Sequence, residues 1–441
     1  MTHAPEQAML AIPEQAARHL AISDPADTSA VFAEVKRQHD ATQDYIVPAN
    51  QLNPIPWSAD LTTPGHRLAI PGPLQSWLKF GINKIAHEQL ADRTGMGMHY
   101  YRKLLSSDEH ANIWAHDLSY WLTRLEGSKF LVRTLDGNIR AFMSNRYFIL
   151  DNFETTLHAV GVVNETPSAI VQRIDVTEEK FYLRILHVDH AIRLEKQADQ
   201  VRTIAQDNGS GGLFDGLFGG ITDQQGHVSH SVDTAALVQD QDMHGPQNRT
   251  FEQFQAIALH DDWIVPGVLV KNSEVGRGGL SIEPFMYQTY CQNRAIFARG
   301  FGRIHRGSEL DDMLTDDTRK KQRDAIFSEI RDVIQSTFDP QKFRNHVDTF
   351  LGLQSQDLED PSGAVEALKK VDSSFTDAEQ QQILNGLMTQ GLGATAYALV
   401  NAVTAFAHSP TVQDADRTAE LESIAGGMIE KWPRELVTVR R

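Results

Sequence analysis

Residues 129–188, KFLVRTLDGNIRAFMSNRYFILDNFETTLHAVGVVNETPSAIVQRIDVTEEKFYLRILHV, carry the clearest structural pattern of the chain. Lys129–Arg133 and Ile139–Met143 are rich in β-branched and aromatic residues, which favour strands. The dipeptide Asp136-Gly137 between them is a strong signal for a tight turn. The first part of the stretch therefore predicts a β-hairpin.

The rest of the stretch predicts a helix followed by a second hairpin. The helix is expected around Phe153–Val160, and Asp151-Asn152 before it supplies side chains that accept hydrogen bonds from free amides at a helix start. Ser168–Val176 and Lys180–Val188 predict the second hairpin. The order hairpin, helix, hairpin indicates an α+β fold with a mixed or antiparallel sheet.

Further strands and helices are predicted outward from this stretch. Trp263–Lys271 and Gly279–Tyr287 read as strands, and a helical period begins at Asp316. Thr376 and Glu379 have the spacing of a capping box. The resulting division is an extended arm (1–60), a helical N-terminal part (61–127), an α+β core (128–310) with a flexible insertion at about 196–260, and a C-terminal helical region (311–441).

Helices of the N-terminal part are predicted to meet at a tight turn. The pattern of Asn83–Leu105 is helical on both sides of Gly95, a residue that permits a sharp turn between two helices. This spacing is typical of a helix-turn-helix, and it is equally typical of any close helical hairpin. The spacing therefore fits both a pair of helices that reads DNA and a helical hairpin that only packs in the core.

Composition limits the classes of protein to which the chain can belong. It has no run of eighteen apolar residues and no basic segment followed by an apolar one, so we expect no membrane partner, no secretory signal and a cytoplasmic location, in the host cell if it is phage-encoded. Its one cysteine, Cys291, excludes an internal disulfide and a multi-cysteine zinc site, and it is expected in the core.

Charge distribution singles out one basic segment. The chain has a net charge of −17, yet residues 264–308 hold 6 basic and 2 acidic residues, a net charge of +4. Arginines beside tyrosines in one groove would supply the charge and the stacking rings that single-stranded nucleic acid requires. Alternatively, the arginines neutralise acidic neighbours. The predicted nucleic-acid-binding residues are Arg133, Arg140, Arg146, Arg277, Arg294, Arg299, Arg303, Arg306, Tyr287 and Tyr290.

Three short motifs resemble a family of phage and plasmid proteins called domain of unknown function 932. They are SNRYFILDN (144–152), the residues Asn272, Ser273, Gly276, Pro284, Cys291 and Asn293, and ALVNAVTAFAH (398–408). Gln292, Arg294 and the long insertion depart from the family's pattern. The resemblance implies a mobile-element context, and it implies no mechanism.

Enzyme signatures are missing from the sequence. No P-loop, Gly-x-Ser-x-Gly or His-Glu-x-x-His motif occurs. His187-x-Asp189-His190 and His227-x-x-His230 have metal-ligand residue types but no evident third ligand. Asp151 is interpreted as a helix cap rather than a catalytic acid. We therefore predict no catalytic residues, no metal and no cofactor.

Two functions from different classes follow. The first is a non-enzymatic nucleic-acid-binding protein of a phage or plasmid, handling single-stranded DNA in replication or recombination. The second is an interaction protein that forms a homo-oligomer or binds a host protein through the Gly- and Phe-rich insertion. A metal-dependent nuclease is a third, weaker alternative.

Overall fold

The fold is α+β, as the sequence predicts. A computed structural model describes residues 25–56, 66–166, 168–194, 263–289, 293–297, 301–303 and 315–436. Within these ranges the chain forms eleven α-helices and two sheets that are mostly antiparallel.

The first sheet and its helices occupy the N-terminal third. Its strand order is β1-β5-β6-β4-β3-β2, and only the β4–β6 pair is parallel. The elements are α1 (Pro25–Ala41), β1 (Gln43–Pro48), β2 (Asn53–Ile55), β3 (Arg67–Pro71), β4 (Trp77–Ile82), α2 (Lys84–Thr94), α3 (Met98–Leu105), α4 (Ala111–Arg124), β5 (Lys129–Leu135) and β6 (Asn138–Ser144).

The second sheet has the order β12-β11-β10-β8-β7, with β13 beside β11 and β9 beside β10. All of its pairs are antiparallel. The elements are α5 (Asn152–Glu165), β7 (Ala169–Val176), β8 (Phe181–His187), β9 (Ile192–Arg193), β10 (Trp263–Asn272), β11 (Leu280–Gln288), β12 (Arg294–Ile296) and β13 (Phe301–Arg303).

Helices make up the C-terminal region. They are α6 (Asp316–Thr337), α7 (Pro340–Gly352), α8 (Pro361–Val371), α9 (Asp377–Thr389), α10 (Ala396–Ala407) and α11 (Ala415–Glu430). The predicted capping box is confirmed, because the Thr376 side chain accepts from Glu379 N and the Glu379 carboxylate accepts from Thr376 N.

Apolar side chains bury both faces of the second sheet. On β8, Phe181, Leu183 and Ile185 pack with residues of α1, α5 and α6. Tyr182 and Leu186 point the other way, into a cluster that includes Ala419 of α11. The second sheet is thus a middle layer between helices, which explains why every residue of β8 is buried.

The two predicted hairpins and the helix between them are confirmed, the second hairpin by the antiparallel pairing of β7 with β8. Asp136 and Gly137 have φ values of 50° and 77°, a backbone conformation that a tight hairpin turn requires. Asp151 caps α5, since its carboxylate accepts from Phe153 N at 2.8 Å. The helical turn at Gly95 is also present, with φ 71° at the end of α2.

The N-terminal segment differs from the expected extended arm. Residues 25–41 are helical, and β1 pairs with β5 along its whole length. Val47, Ala49 and Leu52 are buried in the core of the first sheet. The prolines of this segment are compatible with regular structure, because Pro25 lies in the first turn of α1 and Pro54 in a short strand, where each is tolerated. Strands β3 and β4 likewise lie in the part that was expected to be helical.

Several sequence predictions fall outside the described residues. They concern Cys291, the insertion at about 196–260, and the His227-x-x-His230 pair. In the described ranges, no helix has both the length and the apolar character needed to cross a membrane.

Candidate nucleic-acid interface

Arg133 and Arg140 lie in a buried network between the two sheets, which we call the inter-sheet network (Asp44, Arg133, Arg140, Asp151 and Glu274). The Arg133 guanidinium is 3.0 Å from the carboxylate of Asp44 and 3.4 Å from those of Asp151 and Glu274. Arg140 is 3.2 Å from Glu274. Arg133 is only 2% exposed. Arg133 and Arg140, which were expected to contact a ligand, therefore form ion pairs that join the two sheets.

Electrostatics of the inter-sheet network depend on burial. Burial raises the pKa of Glu274, against the opposing effect of Arg133. Asp151 behaves in the opposite way: burial by itself raises its pKa, but the hydrogen bond from His39, at 3.0 Å, and the nearby arginine outweigh it and lower the pKa. Since the Glu274 carboxylate also accepts from Asn152 N at 2.5 Å, it links β5, β6 and the start of α5.

Two of the three motifs on which the family resemblance rests meet at the inter-sheet network. Asn272 Nδ2 donates to Leu150 O at 2.7 Å and to Asn152 Oδ1 at 2.8 Å. The Tyr147 hydroxyl donates to Ser273 O at 2.6 Å. Farther along the chain, Asn293 Nδ2 donates to Asn401 Oδ1 at 3.0 Å. These asparagines and this tyrosine join loops to the start of α5 and to the middle of α10, which is a structural role.

Arg294 lies in a second buried network, the Glu422 network (Asp175, Arg184, Arg294, His408 and Glu422). The carboxylate of Glu422, which is 0% exposed, is 3.0 Å from Arg184, 3.1 Å from Arg294 and 3.2 Å from His408 Nε2. Arg184 also reaches Asp175 at 2.7 Å. This network joins the second sheet to α10 and α11.

Local packing explains how Glu422 reaches the sheet. Gly426, one turn further along α11, faces the backbone of β12 so closely that an added Cβ would lie 1.8 Å from Ile296 O. Only glycine lets the helix approach this closely. Although burial by itself raises the pKa of Glu422, Arg184 and Arg294 hold it well below its ordinary value. Burial, with Arg294 nearby, lowers the pKa of His408 to about 4.

These positions correct the predicted open groove. Arg133, Arg140 and Arg294 are buried and bound to carboxylates, and Tyr287 is 2% exposed in the core. The acidic partners of these three arginines are residues distant in sequence, and a buried guanidinium group requires such a paired carboxylate. Arg133 and Arg294 belong to separate networks and do not share a surface.

The other predicted residues give no groove among the described side chains. Arg277 is partly exposed and forms an ion pair with Glu88 of α2. Arg146 is exposed in the turn after β6. Arg303 pairs with Leu280 through the backbone of β13. Tyr290, Arg299 and Arg306, and the side chain of Arg303, lie outside what the structure describes.

An exposed surface with the required residue types lies instead on the N-terminal helices. We call it the aromatic–basic face (Tyr100, Lys103, Tyr120, Trp121 and Arg124). Tyr120 and Trp121 are 46% and 42% exposed, with ring centroids 5.4 Å apart in an edge-to-face arrangement. The Arg124 guanidinium lies 4.6 Å from the centre of the Tyr120 ring. Aromatic rings are thus held open to solvent beside a cation.

Helical periodicity places these rings outside. Trp114, Leu118 and Leu122 recur every four residues and are buried in the core of the first sheet. Tyr120 lies on the opposite side of α4, whereas Trp121 borders the buried stripe on the side of Trp114. Exposed aromatic residues outside the buried stripe of an amphipathic helix are therefore a signal that the sequence contains and that the charge distribution did not indicate.

Helix α3 extends the face. Its Tyr100, 45% exposed, donates its hydroxyl to Asp117 of α4 at 2.7 Å. Lys103 is exposed on the outward side of α3. Asp117 is the acidic group in the middle of the face, and its carboxylate is engaged by Tyr100 and by His116, at 3.1 Å. Residues 61–126, which include the whole face, hold 7 basic and 6 acidic residues, so the face lies in a part of the chain that is not acidic.

Metal binding finds no support in the described part of the chain, which has no group of three or more His, Cys, Asp or Glu side chains arranged to hold an ion. His187 and His190 stack at 4.0 Å, and burial, with His190 nearby, lowers the pKa of His187 to about 4. The Asp189 carboxylate accepts from the Ser168 hydroxyl instead.

Comparison with known proteins gives no relative: no family model, no curated protein and no solved structure matches this chain. The resemblance to the phage and plasmid family therefore stays a prediction.

Proposed function

We propose that this protein binds single-stranded nucleic acid through the aromatic–basic face, without catalysing a reaction. The observation that carries the proposal is the exposed pair Tyr120 and Trp121 with Arg124 over one of its rings. Bases stack on such rings with little regard to sequence, and each stacked base contributes about 1–3 kcal/mol. A phage or plasmid origin, with a role in replication or recombination, belongs to the proposal through the resemblance alone.

Single strands fit this surface better than duplex DNA. In a duplex the base faces are covered by stacking, so exposed rings find them only in an unpaired strand. Lys103 and Arg124 add cations that can track the backbone phosphates. The buried arginines take no part in binding, because exposing one would break its ion pairs.

The test is a fluorescence anisotropy titration of labelled oligothymidine, with a duplex of the same length as comparison. Trp121→Ala is expected to weaken binding about tenfold, the loss of one stacked base. Trp77→Ala, which removes a 50% exposed tryptophan on β4, is the matched control and should leave affinity unchanged. Equal loss in both variants, or no binding by the wild-type protein at low salt, would refute the proposal.

A protein partner is the second candidate. Ile113, 46% exposed, lies on the same side of α4 as Tyr120, and exposed apolar side chains that adjoin one another mark interaction sites. Light scattering separates the two: a homo-oligomer that Trp121→Ala dissociates, together with an absence of nucleic-acid binding, favours assembly.

A further inference from the structure

Strand β1 leaves one edge of the first sheet open. The sheet ends at β1 on one side and at β2 on the other, and β1 pairs with β5 alone in the part of the chain that the structure describes. All six residues of β1 follow one register on β5. An open edge presents backbone N–H and C=O groups to which a further strand can be added.

The other sheet edges have features that oppose the addition of a strand. β2 has three residues, and the middle one is Pro54. β7 has a register shift next to Arg173, whose side chain is 52% exposed. β12 and β13 have three residues each. Proteins block sheet edges by such short strands, prolines, bulges and charges. β1 is longer and regular, and its one proline, Pro48, is its last residue.

The hydrogen bonds to β5 show which backbone groups of β1 face outward. Directly after β1, Ala49 N donates to Ser128 O at 2.9 Å, in continuation of the register with β5. Gln43 O is on the same side, because it accepts from a side chain of β5. Since these directions alternate along an antiparallel pair, Asp44 and Ile46 direct their N–H and C=O away from β5. Each of them supplies one donor and one acceptor at the edge.

These outward groups match those of a second copy of the same strand. When two β1 strands run antiparallel about a two-fold axis at Tyr45, Asp44 of each copy lies opposite Ile46 of the other. Each such pair exchanges both of its N–H···O bonds. A two-fold interface of this kind is the commonest arrangement in homo-oligomers, because one surface serves both copies.

Charge permits this pairing although the chain has a net charge of −17. Asp44 is the one charged residue of β1, and its carboxylate is 3.0 Å from the guanidinium of Arg133. The register also keeps the two Asp44 side chains from facing each other. Ile46, which is 50% exposed, would be covered, and the half-buried Tyr45 would meet its symmetry mate as a cross-strand aromatic pair.

We propose that this protein forms a reversible homodimer in which β1 pairs antiparallel with β1 of a second copy, about a two-fold axis at Tyr45. The first sheets of the two copies then form one continuous sheet. An interface centred on a single strand is small, so the dimer exchanges with the monomer. The dimer is independent of the proposed function, since the aromatic–basic face lies on α3 and α4 and needs no second copy.

Oxidative cross-linking of the full chain tests the register. In Tyr45→Cys the two cysteines form a pair without backbone hydrogen bonds, with Cα atoms about 4.5 Å apart, which a disulfide can span. Gln43→Cys is the matched control, because its symmetry mate lies four positions along the strand, about 13 Å away. The wild-type chain, whose one cysteine is Cys291, gives the background. Tyr45→Cys should give at least about tenfold more disulfide-linked dimer than Gln43→Cys. Equal amounts in the two variants would overturn the proposal.

Light scattering of the wild-type protein gives a measurement that does not depend on the folding of Tyr45→Cys. The mass should rise with concentration from that of one chain towards that of two. Ile46→Pro should weaken dimerisation at least about tenfold, because it removes an outward N–H at a position where an edge strand tolerates proline. Ile46→Val, which keeps this N–H, should dimerise as the wild type does. A monomer at every concentration, or equal dimerisation by the two variants, would refute pairing through β1.

Discussion

Arg294 and Arg124 carry the same guanidinium group and meet opposite surroundings. Arg294 is 9% exposed and 3.1 Å from the carboxylate of Glu422, whereas Arg124 is exposed and lies over the Tyr120 ring. The first belongs to the segment with the highest local positive charge in the sequence, and the second to a segment close to neutral. The difference teaches that local charge along a chain does not indicate where charge faces solvent, since distant carboxylates can neutralise a basic strand.

The largest expected effect concerns the buried arginine of this comparison, Arg294, and its Glu422 network. Glu422→Gln should lower the free energy of unfolding by about 3–5 kcal/mol, because it leaves Arg294 buried without a counter-charge and leaves Arg184 with Asp175 alone. Glu420→Gln, on the same helix, breaks an exposed pair with Arg417 and should cost at most about 1 kcal/mol. Urea unfolding measures both, and similar losses would mean that burial does not separate the two glutamates.

The next largest effect should come from acid, which lowers the stability of a protein that buries neutral histidines. Burial lowers the pKa values of His87, His187 and His408 to about 3, 4 and 4, below the ordinary value of 6.5. Since the unfolded chain takes up protons first, the free energy of unfolding should fall as pH drops from about 6.5 towards about 4, by up to about 3 kcal/mol for each histidine.

The pH dependence can be assigned with two variants. His408→Gln should reduce the slope of unfolding free energy against pH in this window, while His116→Gln, at an exposed position, should leave it as in the wild type. A wild-type curve that is flat between these pH values would contradict the burial of neutral histidines.

A smaller effect concerns the approach of α11 to the sheet. Gly426→Ala should cost about 1–3 kcal/mol, because the new methyl group meets Ile296 O and pushes Glu422 away from its arginines. The adjacent Gly427→Ala meets no atom within 4 Å and should stabilise the helix by up to about 1 kcal/mol. Thermal unfolding of this pair decides whether close packing at one residue positions the network.

The smallest expected effect concerns the aromatic–basic face and the salt dependence of its binding to nucleic acid. Neutralising Lys103 or Arg124 to Gln should reduce the slope of log affinity against log salt by about 0.7 for each phosphate that the variant no longer neutralises, with unfolding unchanged. Arg417→Gln, which alters an ion-paired arginine of α11, is the control. If neither the Lys103 variant nor the Arg124 variant alters the salt slope, then these two residues do not contact phosphates.

Much of the fold was accessible from the sequence because its signals are local. The Asp136-Gly137 turn, the Asp151 cap and the Thr376 capping box each follow from neighbouring residues and are confirmed. Pairing of β1 with β5 was not predicted, because residues 43–48 gain their strand character from a partner about ninety positions away.

The buried networks were accessible only in part. Glu422 lies among Leu421, Ala425 and Ile429 on the buried side of α11, so its position within an apolar stripe was a local sign of a buried charge. Its partners could not be predicted, since Arg184 and Arg294 reach it from strands that the chain brings together only on folding.

Photo-cross-linking of bromodeoxyuridine-substituted single-stranded DNA, mapped by mass spectrometry, tests the central claim most directly. Binding through the aromatic–basic face predicts adducts on Tyr120 and Trp121 and none on Tyr287, which is buried. Adducts confined to residues 287–306, with none on α3 or α4, would contradict the account and return the interface to the basic strands.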